Sequence, residues 1–267
     1  MSPKTVWTID PILITALSCY LLIYLWRWIQ VRRTHGKRSA NFWRLVAWVG
    51  GVTALFIALV SPIDSYGEDL ASMHMVQHLL LLDVAPILLI VGLTKVIMRP
   101  VAKTMLELER RAGLLASPAF AVALYSGIMI FWHIPKFYNL AVTHPTWHVV
   151  EHVTFVSSGM LYWWHLLSPI RSRFRFGGTA PVIYMLTTKL LLGLLGVVLT
   201  FSPVVLYDYY EQLPRYWGLT ALTDQNVAGL IMALEQSLVM GLALAVLFTK
   251  MLRDSEDDQA RSERYGS

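Results

Sequence analysis

Apolar residues in this chain come in runs of about 20, the length an α-helix needs to cross a hydrocarbon layer. Seven runs are readable: Ile9–Ile29, Leu45–Val60, Met73–Thr94, Ala119–Ile134, Trp147–Leu167, Pro181–Phe201 and Val227–Phe248. Proline marks their ends at Ser61-Pro62, Ser117-Pro118, His144-Pro145, Ser168-Pro169, Ala180-Pro181 and Ser202-Pro203, where it stops or starts a helix. The pattern predicts an all-α polytopic membrane protein, a bundle of seven transmembrane helices forming one domain over residues 1–252. Residues 253–267, rich in Asp, Glu, Ser and Arg, read as a disordered cytoplasmic tail. No internal repeat stands out.

Polar residues between the runs are sorted by sign. The first connection holds Arg27, Arg32, Arg33, Lys37, Arg38 and Arg44, the third Lys95, Arg99, Lys103, Arg110 and Arg111, and the fifth Arg171, Arg173 and Arg175. The opposite segments hold Asp64, Glu68, Asp69, Asp208, Glu211 and Asp224, with only Lys4, Lys136 and Arg215 as basic residues. By the positive-inside rule the N-terminus is outside and the tail from Lys250 is inside. The first run does not read as a cleavable signal, because its charges follow the apolar stretch and Gln30-Val31-Arg32-Arg33 offers no small-residue cleavage site.

Composition agrees: 56% of residues are hydrophobic and 15% charged, against about 25% charged in soluble domains. The net charge of +5 resides in the connections read as cytoplasmic. It suits contact with anionic membrane lipid, and no nucleic-acid module is recognisable. Cys19 is the sole cysteine and lies inside the first run, which excludes an intramolecular disulfide or a paired-thiolate metal site. Any metal must be held by imidazole, thioether or carboxylate.

Histidine supplies the candidate chemistry. Six of the eight, His74, His78, His133, His144, His148 and His152, fall at the end of the runs read as outer. Imidazole is costly near a bilayer, so clustering at one boundary asks for a metal, a heme or protons. His74 and His78 lie four apart on one helix face, flanked by Met73 and Met75. Soft sulfur beside imidazole favours copper, particularly Cu(I). His148 and His152 form a second such pair behind Pro145, with His144 just before the helix. Glu151 can give a carboxylate to the same ion or hold an imidazole in one tautomer. Met232, two turns into the last run, can add a thioether, although a packing role is the commoner one for methionine. The ordinary alternative for each isolated pair is interface histidines bonded to backbone or water. Two pairs at one depth weaken that alternative.

His148-Val149-Val150-Glu151-His152 also fits the His-x-x-Glu-His pattern of inverted zinc peptidases, a five-residue signal of low specificity. Asp83 lies near a span centre, with Lys189 and Glu235 at comparable depth, and an Asp83–Lys189 or Lys189–Glu235 ion pair is the expected arrangement. A proton or ion relay is the sharper one. Pro86 is expected to kink its span and free a carbonyl near Leu82. Asp224 reads as the cap of the last helix, Trp163-Trp164 as an aromatic belt with His165 beside it, and His35 as a loop residue without a role.

Ser61-Pro62-Ile63-Asp64, His74-Met75-Val76-Gln77-His78-Leu79-Leu80-Leu81 and Val84-Ala85-Pro86-Ile87-Leu88-Leu89-Ile90-Val91-Gly92 resemble the caa3-type cytochrome c oxidase assembly factor CtaG family. Phe131-Trp132-His133-Ile134-Pro135, Phe137-Tyr138, the histidines His144, His148 and His152 of the fifth run, Phe201-Ser202-Pro203, Asp224-Gln225 and Ala228-Gly229-Leu230-Ile231-Met232 extend the resemblance over about residues 45–248. It implies a multi-pass protein of the bacterial inner membrane that matures heme-copper oxidase by handling copper. Oxidase subunits and extracytoplasmic copper chaperones are the implied partners. The single-span assembly factor of the same name, which uses a cysteine pair, is a different family.

Three function classes follow. A non-catalytic copper-binding assembly factor accounts for the outer histidines and the resemblance together. A seven-span zinc hydrolase needs three ligands, an open water position and an acid or base, which His78, His148, His152 and Glu151 can mimic. A b-type heme protein needs histidines paired across facing helices. Bound copper, bound zinc and a Soret band separate the three.

Overall fold

The computed structural model describes residues 5–265 apart from residues 171 and 175, and every regular element among them is helical. Lys4, Arg171, Arg175 and the side chain of Lys250, used above for orientation, lie outside the described residues. The order is α1 Pro11–His35, α2 Phe42–Leu59, α3 Pro62–Asp69, α4 Ala71–Leu79, a π-helical turn Leu80–Val84, α5 Ala85–Gly92, α6 Lys95–Ala112, a 3₁₀ turn Gly113–Ala116 and α7 Pro118–His133. There follow α8 Pro135–Thr143, α9 Pro145–Leu167, α10 Ala180–Thr200, the single turn α11 Asp208–Glu211, and α12 Ala221–Tyr265.

Each predicted run falls on a helix: α1, α2, the continuous rod α4–π–α5, α7, α9, α10 and α12. Length and apolarity alone qualify four described segments to cross a membrane, Pro11–His35, Phe42–Leu59, Ala71–Gly92 and Ala180–Thr200. The stretch Lys95–Ala116 qualifies jointly with α7 across a bend of 66°, giving up to five. The chain is a membrane protein with several apolar helices, and composition supports fewer than the seven crossings expected. The 16-residue α7 is short by itself. The 23-residue α9 is long enough but diluted by His148, Glu151, His152 and His165. Part of α12 lies outside the described side chains.

The prolines begin helices more often than they end them. Ser61 caps α3 and Ser117 caps α7 through their hydroxyls, each with proline in the first turn, where its missing N–H costs nothing. Pro135, Pro145 and Pro181 open α8, α9 and α10 in the same way. The connections read as loops at 61–70, 95–116 and 135–143 are therefore largely helical. At the C-terminus α12 continues to Tyr265, across residues for which composition predicts disorder. Contacts four apart, such as Gln259 Nε2 to Glu263 Oε1 at 3.3 Å, support helix there.

The rod α4–π–α5 and α9 occupy the middle. α2 packs along α5, α12 along both α10 and α4, and α9 against α7, α8, α5 and the π turn. Pro86 cannot donate to the Leu82 carbonyl, and the rod widens into its π turn just there. A side chain on Gly159 of α9 would run into that same Leu82 carbonyl, so only glycine admits this approach. α1 touches chiefly α2 and α6, leaving Ile12, Leu22, Ile23 and Trp26 exposed.

Candidate metal centre

α4 is brought to its place by a cap supplied from another helix. Leu70, at its N-cap, has no side chain able to accept a bond. Asp224 of α12 instead accepts from the Ala71 amide at 2.7 Å, the Ser72 amide at 3.2 Å and the Ser72 hydroxyl. The expected cap of its own helix is thus replaced: Thr220 Oγ1 accepts from the Thr223 amide at 3.1 Å, and Asp224 ties α4 to α12. On the other flank Gln77 Nε2 donates to the Ala58 carbonyl at 2.8 Å and to Asp64 at 2.7 Å. These bonds set the rotation of α4, and its inward face carries His74 and His78, each 1% exposed.

α9 presents the facing set. His148 and His152 have ring centres 4.1 Å apart with their planes tilted by 56°, and His74 and His78 meet edge to face at the same distance. Across the gap His74 lies 5.6 Å from His148, and His78 lies 6.4 Å from His152. Between the pairs is Glu151, with no exposed surface. Its Oε2 stands 3.5 Å from His74 Nε2 and its Oε1 3.4 Å from His78 Nε2, longer than a good hydrogen bond. Both carboxylate oxygens, both nitrogens of His74 and of His78, and Nε2 of His148 and His152 are buried without a hydrogen-bond partner among the described residues. Native proteins rarely leave so many polar atoms unmet in one place. A carboxylate out of water costs several kcal/mol unless a cation or a proton compensates it.

Two groups of donor atoms, His74/His78/Glu151 and His148/Glu151/His152, each lie within 4.8 Å of one another. Metal–nitrogen bonds of about 2 Å bring donors to about 3–4 Å, so ring movements of about 1 Å close either group on an ion.

His133 and Met75 join the cluster edge. The His133 Nδ1 sits 2.7 Å from the Met129 carbonyl, which can only accept, so the proton is on Nδ1 and the Nε2 lone pair faces Met75 Sδ at 3.4 Å. Its ring centre is 6.2 Å from that of His78. Of the nine residues proposed from sequence, seven are therefore gathered: His74, His78, His133, His148, His152, Met75 and Glu151. His144 is exposed at the start of α9 and bonds to Thr143 at 2.8 Å. Met232 is buried in the hydrophobic core.

Tyrosines roof the site and were not foreseen. The Tyr138 ring is 5.1 Å from His74 and stacks on Tyr207 at 3.8 Å. Tyr207 donates to the His133 carbonyl at 3.3 Å and Tyr210 to that of Gly67 at 2.9 Å. Tyr207-Asp208-Tyr209-Tyr210 was the available signal, a tyrosine-rich stretch in a polar connection.

Asp83 belongs to a separate, deeper group. Its Oδ1 accepts from Tyr125 at 2.7 Å and from the Trp163 indole at 2.6 Å, and Glu235 lies within bonding reach. Lys189 donates to Ser237 at 2.7 Å, and neither of the expected lysine ion pairs forms among the described residues. Trp163 is correspondingly a buried donor, 1% exposed, and not part of an interfacial belt.

The family model for the cytochrome c oxidase caa3 assembly factor matches residues 22–254. The chain belongs to that family. The cytochrome c oxidase assembly factor match takes in all of the histidine cluster. Relatives over nearly the whole chain include Uncharacterized protein ML1998 of Mycobacterium leprae, 22% identical over 280 residues, which cover 98% of this chain and 42% of that protein. Uncharacterized protein Mb0105 of Mycobacterium bovis is 23% identical over 281 residues with the same coverage. The chain thus spans less than half the length of these relatives. No solved structure matches.

Proposed function

We propose that this assembly factor binds copper, as Cu(I), at the outer face of the bacterial cytoplasmic membrane and hands it to heme-copper oxidase subunits during their maturation. Supply comes from extracytoplasmic copper chaperones, and the protein performs no catalysis itself. The observation that carries the reading is the convergence of His74, His78, His148 and His152 on a wholly buried Glu151, with their donor atoms unmet. Met75 beside His133 adds a thioether, which suits Cu(I) over zinc. The orientation belongs to the same proposal: seven crossings, N-terminus outside, histidines at the outer boundary, with the arginine distribution as its support.

The test is elemental and functional at once. Protein purified in detergent is expected to carry copper, and His78→Ala or His152→Ala to lower both bound copper and mature oxidase activity while the protein stays in the membrane. His35→Ala, on the far connection, is expected to be silent. Full oxidase activity in both strains under copper limitation defeats the proposal and leaves a scaffold role. Zinc in place of copper, with three protein ligands and Glu151 as base, points to a hydrolase. A Soret band points to heme.

A further inference from the structure

The donor atoms outnumber what one ion can use. Four imidazoles and two carboxylate oxygens are buried and unmet, whereas a tetrahedral ion takes four ligands. They also do not converge on one point. His74 and His78 group with Glu151 on the α4 side, and His148 and His152 group with Glu151 on the α9 side. The rings of His78 and His152 remain 6.4 Å apart, which separates the pairs more than the 4.1 Å within each pair. Glu151 is the single residue common to both groups, and a carboxylate has two oxygens to give.

We infer that the site takes two metal ions, one on His74 and His78 and one on His148 and His152, bridged by the Glu151 carboxylate. This rests on the metal-binding reading above and deepens it by fixing stoichiometry and the role of one residue. A single ion on either pair leaves the other pair buried without partners, and two ions give each of the four imidazoles a metal on one nitrogen. Bridged two-metal sites hold their ions about 3.5–4 Å apart, less than the 5.6 Å from His74 to His148 and the 6.4 Å from His78 to His152 between ring centres across the pairs. The arrangement also suits transfer, because an ion can pass from one pair to the other while Glu151 keeps hold of it. The more exposed His148 marks the entry side, and the buried α4 pair the inner one.

The experiment is a copper titration of the full chain in detergent, with ascorbate to maintain Cu(I) and a competing chelator, followed by elemental analysis. Two copper ions per chain are expected for the wild type. The His74→Ala/His78→Ala and His148→Ala/His152→Ala double variants are each expected to retain one. A wild-type plateau at one ion overturns the two-ion inference while leaving the proposed function standing, and no bound copper defeats both. Loading with Cu(II) adds a readout independent of occupancy: electron paramagnetic resonance is expected to show two exchange-coupled ions in the wild type and weakened exchange in Glu151→Gln, with the through-space dipolar interaction remaining. Exchange of unchanged strength in Glu151→Gln overturns the bridge.

Discussion

Glu151 and Asp83 are both carboxylates sealed from solvent, at 0% and 1% exposure, and their surroundings assign them opposite roles. Asp83 Oδ1 is met by the Tyr125 hydroxyl and the Trp163 indole, two neutral donors that hold three helices together. Glu151 has only imidazoles in front of it, at 3.4 and 3.5 Å. Asp83→Ala therefore orphans two buried donors, at about 1–3 kcal/mol each, and is expected to lower the melting temperature of the purified protein. Asp83→Asn keeps a carbonyl acceptor and is expected to cost less. Neither change should alter bound copper; loss of copper from Asp83→Asn at an unchanged melting temperature would draw Asp83 into the metal route. The sequence made the histidine pairs visible because spacing by four is a local property of a helix. It did not make the partner of Asp83 visible, because depth along a span says nothing of which way a neighbouring helix is turned. The same blindness hid the tyrosine roof and put Asp224 on the wrong helix.

Elements were legible where one signal sufficed and obscure where two competed. Apolar runs located the helices carrying α1, α2 and α10, whereas α9 has to be both a bundle helix and the bearer of the site, so its polar residues pull its composition below that of an ordinary span. The short helices α3 and α8 and the 18-residue α6 lie in polar connections where no apolar run announces them, although Pro62 and Pro135 stood ready as first-turn residues. The expectation at Pro86 was of a kink; the rod instead absorbs the missing bond in a π turn, and the Leu82 carbonyl closes on Gly159. Gly159→Ala is the direct probe of that contact. Alanine contributes about 1 kcal/mol of helix propensity, but forcing a methyl against backbone costs about 1–3 kcal/mol and moves α9 away from the rod. The expected result is a lower melting temperature together with weaker copper binding, since the two histidine pairs ride on these two elements. Gly127→Ala, with open space around its Cα, is expected to be neutral or slightly stabilising. Equal behaviour of the two variants would show that the α9 contact does not position the site.

At the scale of the whole molecule, the exposed apolar side chains and the charges define a membrane protein in complementary ways. Ile12, Leu22, Ile23 and Trp26 on α1 and Ile183, Leu190, Leu194 and Val198 on α10 face outward, a surface suited to lipid and too apolar for water. Arg27 and Arg44 are drawn onto backbone carbonyls at Val96, Ile97 and Val91, gathering positive charge at the end of the bundle opposite the histidines. Positively charged connections are retained in the cytoplasm, so the proposed orientation turns that end inward and the candidate metal centre outward, where copper for an oxidase under assembly would be met. Single cysteines placed at Arg38, Glu68, Arg110, His144 and Arg173 in a Cys19→Ser background test this directly with a membrane-impermeant thiol reagent. Positions 68 and 144 are expected to label in intact cells or spheroplasts, and positions 38, 110 and 173 only after the membrane is opened. Labelling of position 38 from outside would reverse the orientation. Copper could then still be bound, because the geometry of the cluster is independent of which side it faces, but it would have to come from the cytoplasm, and delivery at the outer face would fail as an account of what the cluster is for.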